Sequence, residues 1–168
     1  MLEIVLSLLI KAGAVERLPA SANSHATDIG APGLQAQLER AKKSAAGAER
    51  LYKMGVLAKV EAEQRALKVV RLQSELECAR LAEAKEEAAK QERRFQEGEI
   101  SKLELETTES VLAEALIAAE KASAKKESTE LEAAMLNLHR QEKLLALGSG
   151  GKSAVNRAEE KLAALRRQ

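Results

Sequence analysis

Glu92-Arg93-Arg94-Phe95-Gln96-Glu97-Gly98-Glu99-Ile100-Ser101-Lys102 decides how this chain folds, because it interrupts a long helical pattern and because it recurs. Its first seven residues have counterparts in Glu49-Arg50-Leu51-Tyr52-Lys53-Met54-Gly55 and in Glu142-Lys143-Leu144-Leu145-Ala146-Leu147-Gly148. Each copy runs acid, base, any residue, large apolar residue, any, any, glycine. Each is followed four positions later by a lysine: Lys59, Lys102 and Lys152. Tyr52 and Phe95, the only aromatic residues of the chain, both occupy the large apolar column. The interval from Gly98 to Gly148 exceeds that from Gly55 to Gly98 by one heptad, an insertion that preserves a helical seam.

Outward from these punctuation marks, nothing breaks a helix between Val56 and Glu97 or between Glu99 and Leu147. A chain that reverses between antiparallel helices ends the first with a residue of left-handed conformation, which glycine adopts without a Cβ penalty. Gly55, Gly98 and Gly148 are therefore read as turns, and helices are expected near 34–54, 57–96, 100–147 and 152–167. Ser101 is placed to cap the third helix, with Glu104 completing a capping box. The competing reading is a continuous helix with tolerated glycines, each costing about 1 kcal/mol relative to alanine.

Apolar residues recur every seventh position at Leu103, Ile117, Ala124, Leu131, Leu138 and Leu145, with Ser110 in the one gap. On a helix they form one slowly winding stripe, and the simplest partner for it is the neighbouring segment of the same chain. Composition agrees. Among 168 residues there is one Tyr, one Phe and no Trp, 32% are charged, and Ala, Glu, Lys, Leu and Arg dominate. Lacking the roughly 150–250 Å² of buried surface that an aromatic brings, the core must come from thin aliphatic interfaces. The expected fold class is all-α: long antiparallel helical hairpins forming a coiled-coil bundle, with a flexible N-terminal segment.

Residues 1–33 form a separate region. They contain both prolines, Pro19 and Pro32, the apolar run Leu2–Ile10 and a polar linker from Ser21 to Asp28. The run is too short to cross a bilayer, which takes roughly 20 apolar residues. Ile4–Ile10 and Ala20-Ser21-Ala22 fit the apolar and cleavage regions of a secretory signal, but Glu3 stands where a basic residue belongs. A signal, a truncated anchor and a short amphipathic helix all remain open for this region. The repeat-based helical domain is assigned to 34–168.

The residues do not assemble a reaction centre. A net charge of +1 with both signs interleaved, and few aromatics, argues against a nucleic-acid partner. The single Cys78 excludes an intrachain disulfide and reads as a small buried side chain. His25 and His139 are solitary, so no metal is expected. Carboxylates lie at helical spacing from bases, as in Glu61 with Arg65 and Glu86 with Lys90, which suits surface pairing rather than acid–base chemistry. Ala146-Leu147-Gly148-Ser149-Gly150-Gly151-Lys152-Ser153 fits a permissive phosphate-loop pattern, but no strand precedes it, and a turn between helices accounts for it. No catalytic, cofactor-binding or metal-binding residue is nominated; the expectation is a protein that is not an enzyme and carries no cofactor.

Tyr52-Lys53-Met54-Gly55-Val56-Leu57-Ala58-Lys59-Val60-Glu61 and Phe95-Gln96-Glu97-Gly98-Glu99-Ile100-Ser101-Lys102-Leu103-Glu104 resemble the helical-hairpin tips of TolC-type outer-membrane efflux channels and of periplasmic membrane-fusion adaptors. The shared pattern is an aromatic residue or Leu, then Gly, a small hydroxyl residue and an acid, followed by a returning helix rich in Ala and Leu. The resemblance covers about residues 40–125. It implies that Gly55 and Gly98 lie at hairpin ends and that Ser101 and Glu104 take the hydroxyl and acid positions. It also implies contact with a channel or adaptor, and a place in the periplasm or cell envelope rather than the cytoplasm. Ala58 departs from the hydroxyl position in the first copy, and no β-strands of a channel or a lipoyl-like domain are visible. On this reading Tyr52, Gly55, Phe95, Gly98, Ser101, Glu104 and Gly148 are the candidate tip and partner-contact residues. Partners would be proteins met through helix–helix contact, a second copy included, with any membrane association indirect. A soluble coiled-coil scaffold or oligomerisation protein with no transport role is the rival.

Overall fold

The computed structural model describes residues 30–167, which form four helices and, among these residues, no strand. They are α1 (Ala31–Lys53), α2 (Lys59–Gln96), α3 (Lys102–Ala146) and α4 (Lys152–Leu165). The apolar run Leu2–Ile10, the small-residue site at 20–22, the polar linker and His25 lie outside the described residues. The all-α fold of antiparallel helices is as expected, with helix ends within three residues of the expected ones. Helix α1 starts at Ala31 rather than Leu34, so Pro32 belongs to its first turn, where a missing N–H costs nothing.

Each helix packs on its neighbours in sequence: α1 on α2, α2 on α3, and α3 on α4; no other two helices bring their Cα atoms within 8 Å. The α1–α2 contact holds an apolar cluster built from Ala31, Leu38, Ala41, Leu72 and Leu76, with Leu34, Val69 and Ala79 against it. Leu38 and Leu76 are each 1% exposed. At the far side, Val155, Ala158 and Leu162 of α4 are buried, as is Ala134 of α3, the helix on which α4 packs. Between these layers α2 and α3 are joined by two ion pairs, Arg71 to Glu130 at 2.6 Å and Arg140 to Glu63.

Because α2 and α3 run antiparallel, the turns after Gly55 and Gly148 share one end of the molecule, and among the described residues the turn at Gly98 stands alone at the other. Helix α1 is tied to α2 by a side-chain hydrogen bond from Arg80 to Gln35 at 3.2 Å. From Arg80 to Gln96, α2 continues for another roughly 24 Å at 1.5 Å per residue. Helix α1 reaches one turn further, to Ala31, and beyond that α3 is the one described helix packed on it. Leu81, Ala84, Ala88 and Gln91 of α2, and Leu105, Thr108, Leu112, Ala115 and Ala119 of α3, with Ala118 beside it, are the covered positions there. Their spacing of three and four residues is that of a seam between two helices.

Two sequence expectations are corrected here. The heptad column is not α3's seam with α2: Leu103, Ser110, Ile117 and Ala124 are exposed, while Leu131, Leu138 and Leu145 are half-buried. Helix α3 has two apolar faces, one meeting α2 along its length and one covered only near its C-terminal end, where α4 packs. A seven-residue repeat fits either face equally well. Cys78 is exposed rather than buried, because Leu72, Leu76 and Ala79 take the α1-facing side of α2 and turn position 78 outward.

Candidate functional site: the hairpin turns

All three repeated glycines have left-handed backbone: φ is 74° at Gly55, 76° at Gly98 and 71° at Gly148. The hydrogen bonds around them are the same in each copy. The amides of Gly55, Gly98 and Gly148 donate to the carbonyls of Tyr52, Phe95 and Leu145. The next amides, of Val56, Glu99 and Ser149, donate to Leu51, Arg94 and Leu144. This is the paired pattern of a Schellman motif, which satisfies carbonyls the helix end would otherwise leave open.

The rest of the repeat also has a structural place. Arg50, Arg93 and Lys143 sit in the last helical turn, where a cation is favoured by the helix dipole, and their carbonyls accept from the residue before each glycine. Ala58, Ser101 and Gly151 are the three N-caps, and Lys59, Lys102 and Lys152 are the first residues of the helices that follow. A cation at that position opposes the dipole. Lys59 and Lys102 each lie within ion-pair distance of an acid four residues on, Glu63 and Glu106, at 3.9 Å and 3.5 Å.

Only the second copy carries a side-chain cap. Ser101 Oγ accepts from the Glu104 amide at 3.4 Å, and the Glu104 carboxylate accepts from the Ser101 amide at 2.8 Å and from its hydroxyl at 3.0 Å. These bonds from the Ser101 backbone and side chain hold the Glu104 carboxyl below the usual carboxylate range. Arg94 reaches across the turn to Glu99 at 3.1 Å. The turn is thus pinned from both sides by polar contacts while its apolar residues stay available: Phe95 is 39% exposed and Leu103 69%.

The sequence-nominated residues do not form one site. Phe95, Gly98, Ser101 and Glu104 come together at the isolated tip of the α2–α3 hairpin. Tyr52 and Gly55 lie at the opposite end, which they share with Gly148. Sequence reasoning missed Met54, Val56 and Leu147, whose exposed apolar side chains mark that crowded end. Flanking a glycine in a repeated turn, they carried no periodicity of their own.

The phosphate-loop pattern has a different use of its backbone. The amides of Gly148, Ser149 and Gly150 donate to Leu145 or Leu144 of α3 and so are not turned toward a ligand. Gly150 is required there because a Cβ would lie 2.8 Å from the Leu145 nitrogen. Glu61 and Arg65 pair at 2.7 Å as expected, whereas Lys90 pairs with Glu87 rather than Glu86. His139 is on the surface, 3.9 Å from Glu142. Among the described residues no three His, Cys, Asp or Glu side chains cluster as metal ligands, and no helix is long and apolar enough to cross a membrane. No protein family, no curated protein and no solved structure significantly matches the chain.

Proposed function

We propose that this chain is a non-enzymatic helical-hairpin interaction module of the bacterial cell envelope, working by helix–helix contact at the α2–α3 tip with an efflux or secretion channel or its adaptor. The observation that carries the reading is the tip itself. A two-helix stalk extends beyond α1 and ends in a rigidly capped turn that presents Phe95 and Leu103 to solvent. A fixed backbone with exposed apolar anchors is what a protein contact needs, because little ordering entropy is lost on binding. The resemblance of Phe95–Glu104 to efflux-type hairpin tips supplies the location.

The rival is a soluble coiled-coil scaffold, and the uncovered outer flank of α3 favours it. Osmotic shock and membrane fractionation of the native cells, followed by crosslinking from a photoreactive residue at Phe95, separates the two. Recovery in the envelope with a crosslink to a channel or adaptor is the expected result. Recovery only in cytosol, or a tip crosslink to no other protein, rejects the envelope role.

A further inference from the structure

Among the described residues, the flank of α3 from Leu103 to Leu131 that turns away from α2 has no helix packed on it before α4 reaches α3. Leu103, Val111 and Ile117 are exposed along it, Leu103 at 69% and Val111 at 58%. Its charges are sorted. From Leu103 to Glu120 every charged residue is acidic, Glu114 among them; from Lys121 to Lys126 every charged residue is basic, and Glu127 and Glu130 follow. Glu114, Lys121 and Lys125 are exposed and make no ion pair among the described residues.

We propose that this flank binds a second copy of the chain, laid antiparallel about the Ile117–Ala118 peptide bond. This rests on the reading of the chain as a helix–helix interaction module and supplies one partner for it. Symmetry about that bond sets Lys121 of each copy opposite Glu114 of the other, on the same side of the contact. A parallel arrangement sets acid on acid and base on base. Ile117 falls at the centre, and Leu103 reaches the neighbourhood of Leu131.

The length also fits. Helix α4 ends at Leu165, in a groove shared with Ala133 and Ala134, so α3 is free only up to about Leu131. In the antiparallel pair the tip residue Lys102 of one copy falls opposite Ala133 of the other, where α4 begins to cover α3. Each hairpin tip therefore stops against the end of its partner's α4, after an overlap of roughly 42 Å at 1.5 Å per residue. A twofold interface of this kind is self-complementary by construction.

Sedimentation equilibrium of the full chain tests this, with Glu114→Lys, Lys121→Glu and the double variant alongside. All four positions of the two charge pairs are exposed, so helical circular dichroism should be the same in every protein. The expected result is a reversible dimer that weakens with salt, a dissociation constant raised at least about tenfold by either single substitution, and recovery in the double variant. Recovery is specific to the antiparallel register, since in a parallel pair the double variant only exchanges one set of like charges for another. A monomer at all concentrations overturns the proposal, as does a dimer whose double variant is no tighter than the single ones. Phe95→Ala, at the tip, should leave the dimer intact; loss of a tip partner with retained dimer, or the reverse, tells failure of one reading from failure of the other.

Discussion

Replacing Gly98 by alanine isolates the cost of one backbone conformation. A Cβ built at Gly98 meets nothing within 4 Å, so no neighbour is displaced. What remains is the left-handed φ of 76°, which places a Cβ too close to its own backbone and costs about 1–2 kcal/mol in an L-residue other than Gly, Asn or Asp. Asn should recover part of that, and Val should exceed it because a branched Cβ resists positive φ. At roughly 2–4 °C per kcal/mol for a domain of this size, Gly98→Ala lowers the melting temperature by a few degrees if unfolding is cooperative. The stalk is a two-helix segment, however, and local opening there should sense the change before the whole molecule does. Amide hydrogen exchange over residues 85–113 is therefore the sharper assay, with faster exchange in the order Asn, Ala, Val. Equal protection in all three would mean that the turn is not held at positive φ and that α2 and α3 do not part at Gly98.

Three further outcomes are expected. Leu38→Ala should cost about 2–5 kcal/mol in chemical denaturation, since Leu38 is 1% exposed; Leu136→Ala, at a 47% exposed position of α3 outside the proposed dimer contact, should cost far less, and a comparable loss from both would contradict the assigned faces. Gly47→Ala should stabilise the protein by about 0.5–1 kcal/mol, because Gly47 lies inside α1 with open space at its Cβ, and a lowered melting temperature would refute this. Glu104 has its folded pKa depressed, so its contribution to the α3 cap is complete above the ordinary Glu value of about 4.3 and is lost as pH falls through the lower folded value. A carboxylate NMR titration giving an ordinary value, or one unchanged by Ser101→Ala, would refute the capping box.

Most of the fold was legible because its boundaries are written in residues with a backbone preference. Gly55, Gly98 and Gly148 mark positive φ, and Ser101 with Glu104 marks a helix start; both signals are local and need no tertiary context. Which face of α3 meets which neighbour was not legible, because Leu103 and Leu145 lie in the same heptad column yet only Leu145 has α4 near it. Burial at those positions is set by the 14-residue length of α4, a fact that no periodicity within α3 contains. The candidate site was half legible for a related reason. The repeat reports how a helix ends, and it recurs at both ends of the molecule, so it could not say which of Tyr52 and Phe95 would stand on an isolated tip.

Since each helix leans only on its neighbours in sequence, the stability of the molecule is a short linear series of couplings rather than a shared core. Disturbance then travels along the series one interface at a time. Loosening α4 from α3 uncovers Val155, Ala158 and Leu162 without touching the Leu38–Leu76 cluster on the other side. Pulling on the outer helices should peel them in separate steps, each reporting a single interface, and leave the central pair for last. A protein assembled in this way can lengthen its arms by whole heptads and keep its turns, because no distant layer has to be repacked when one interface grows.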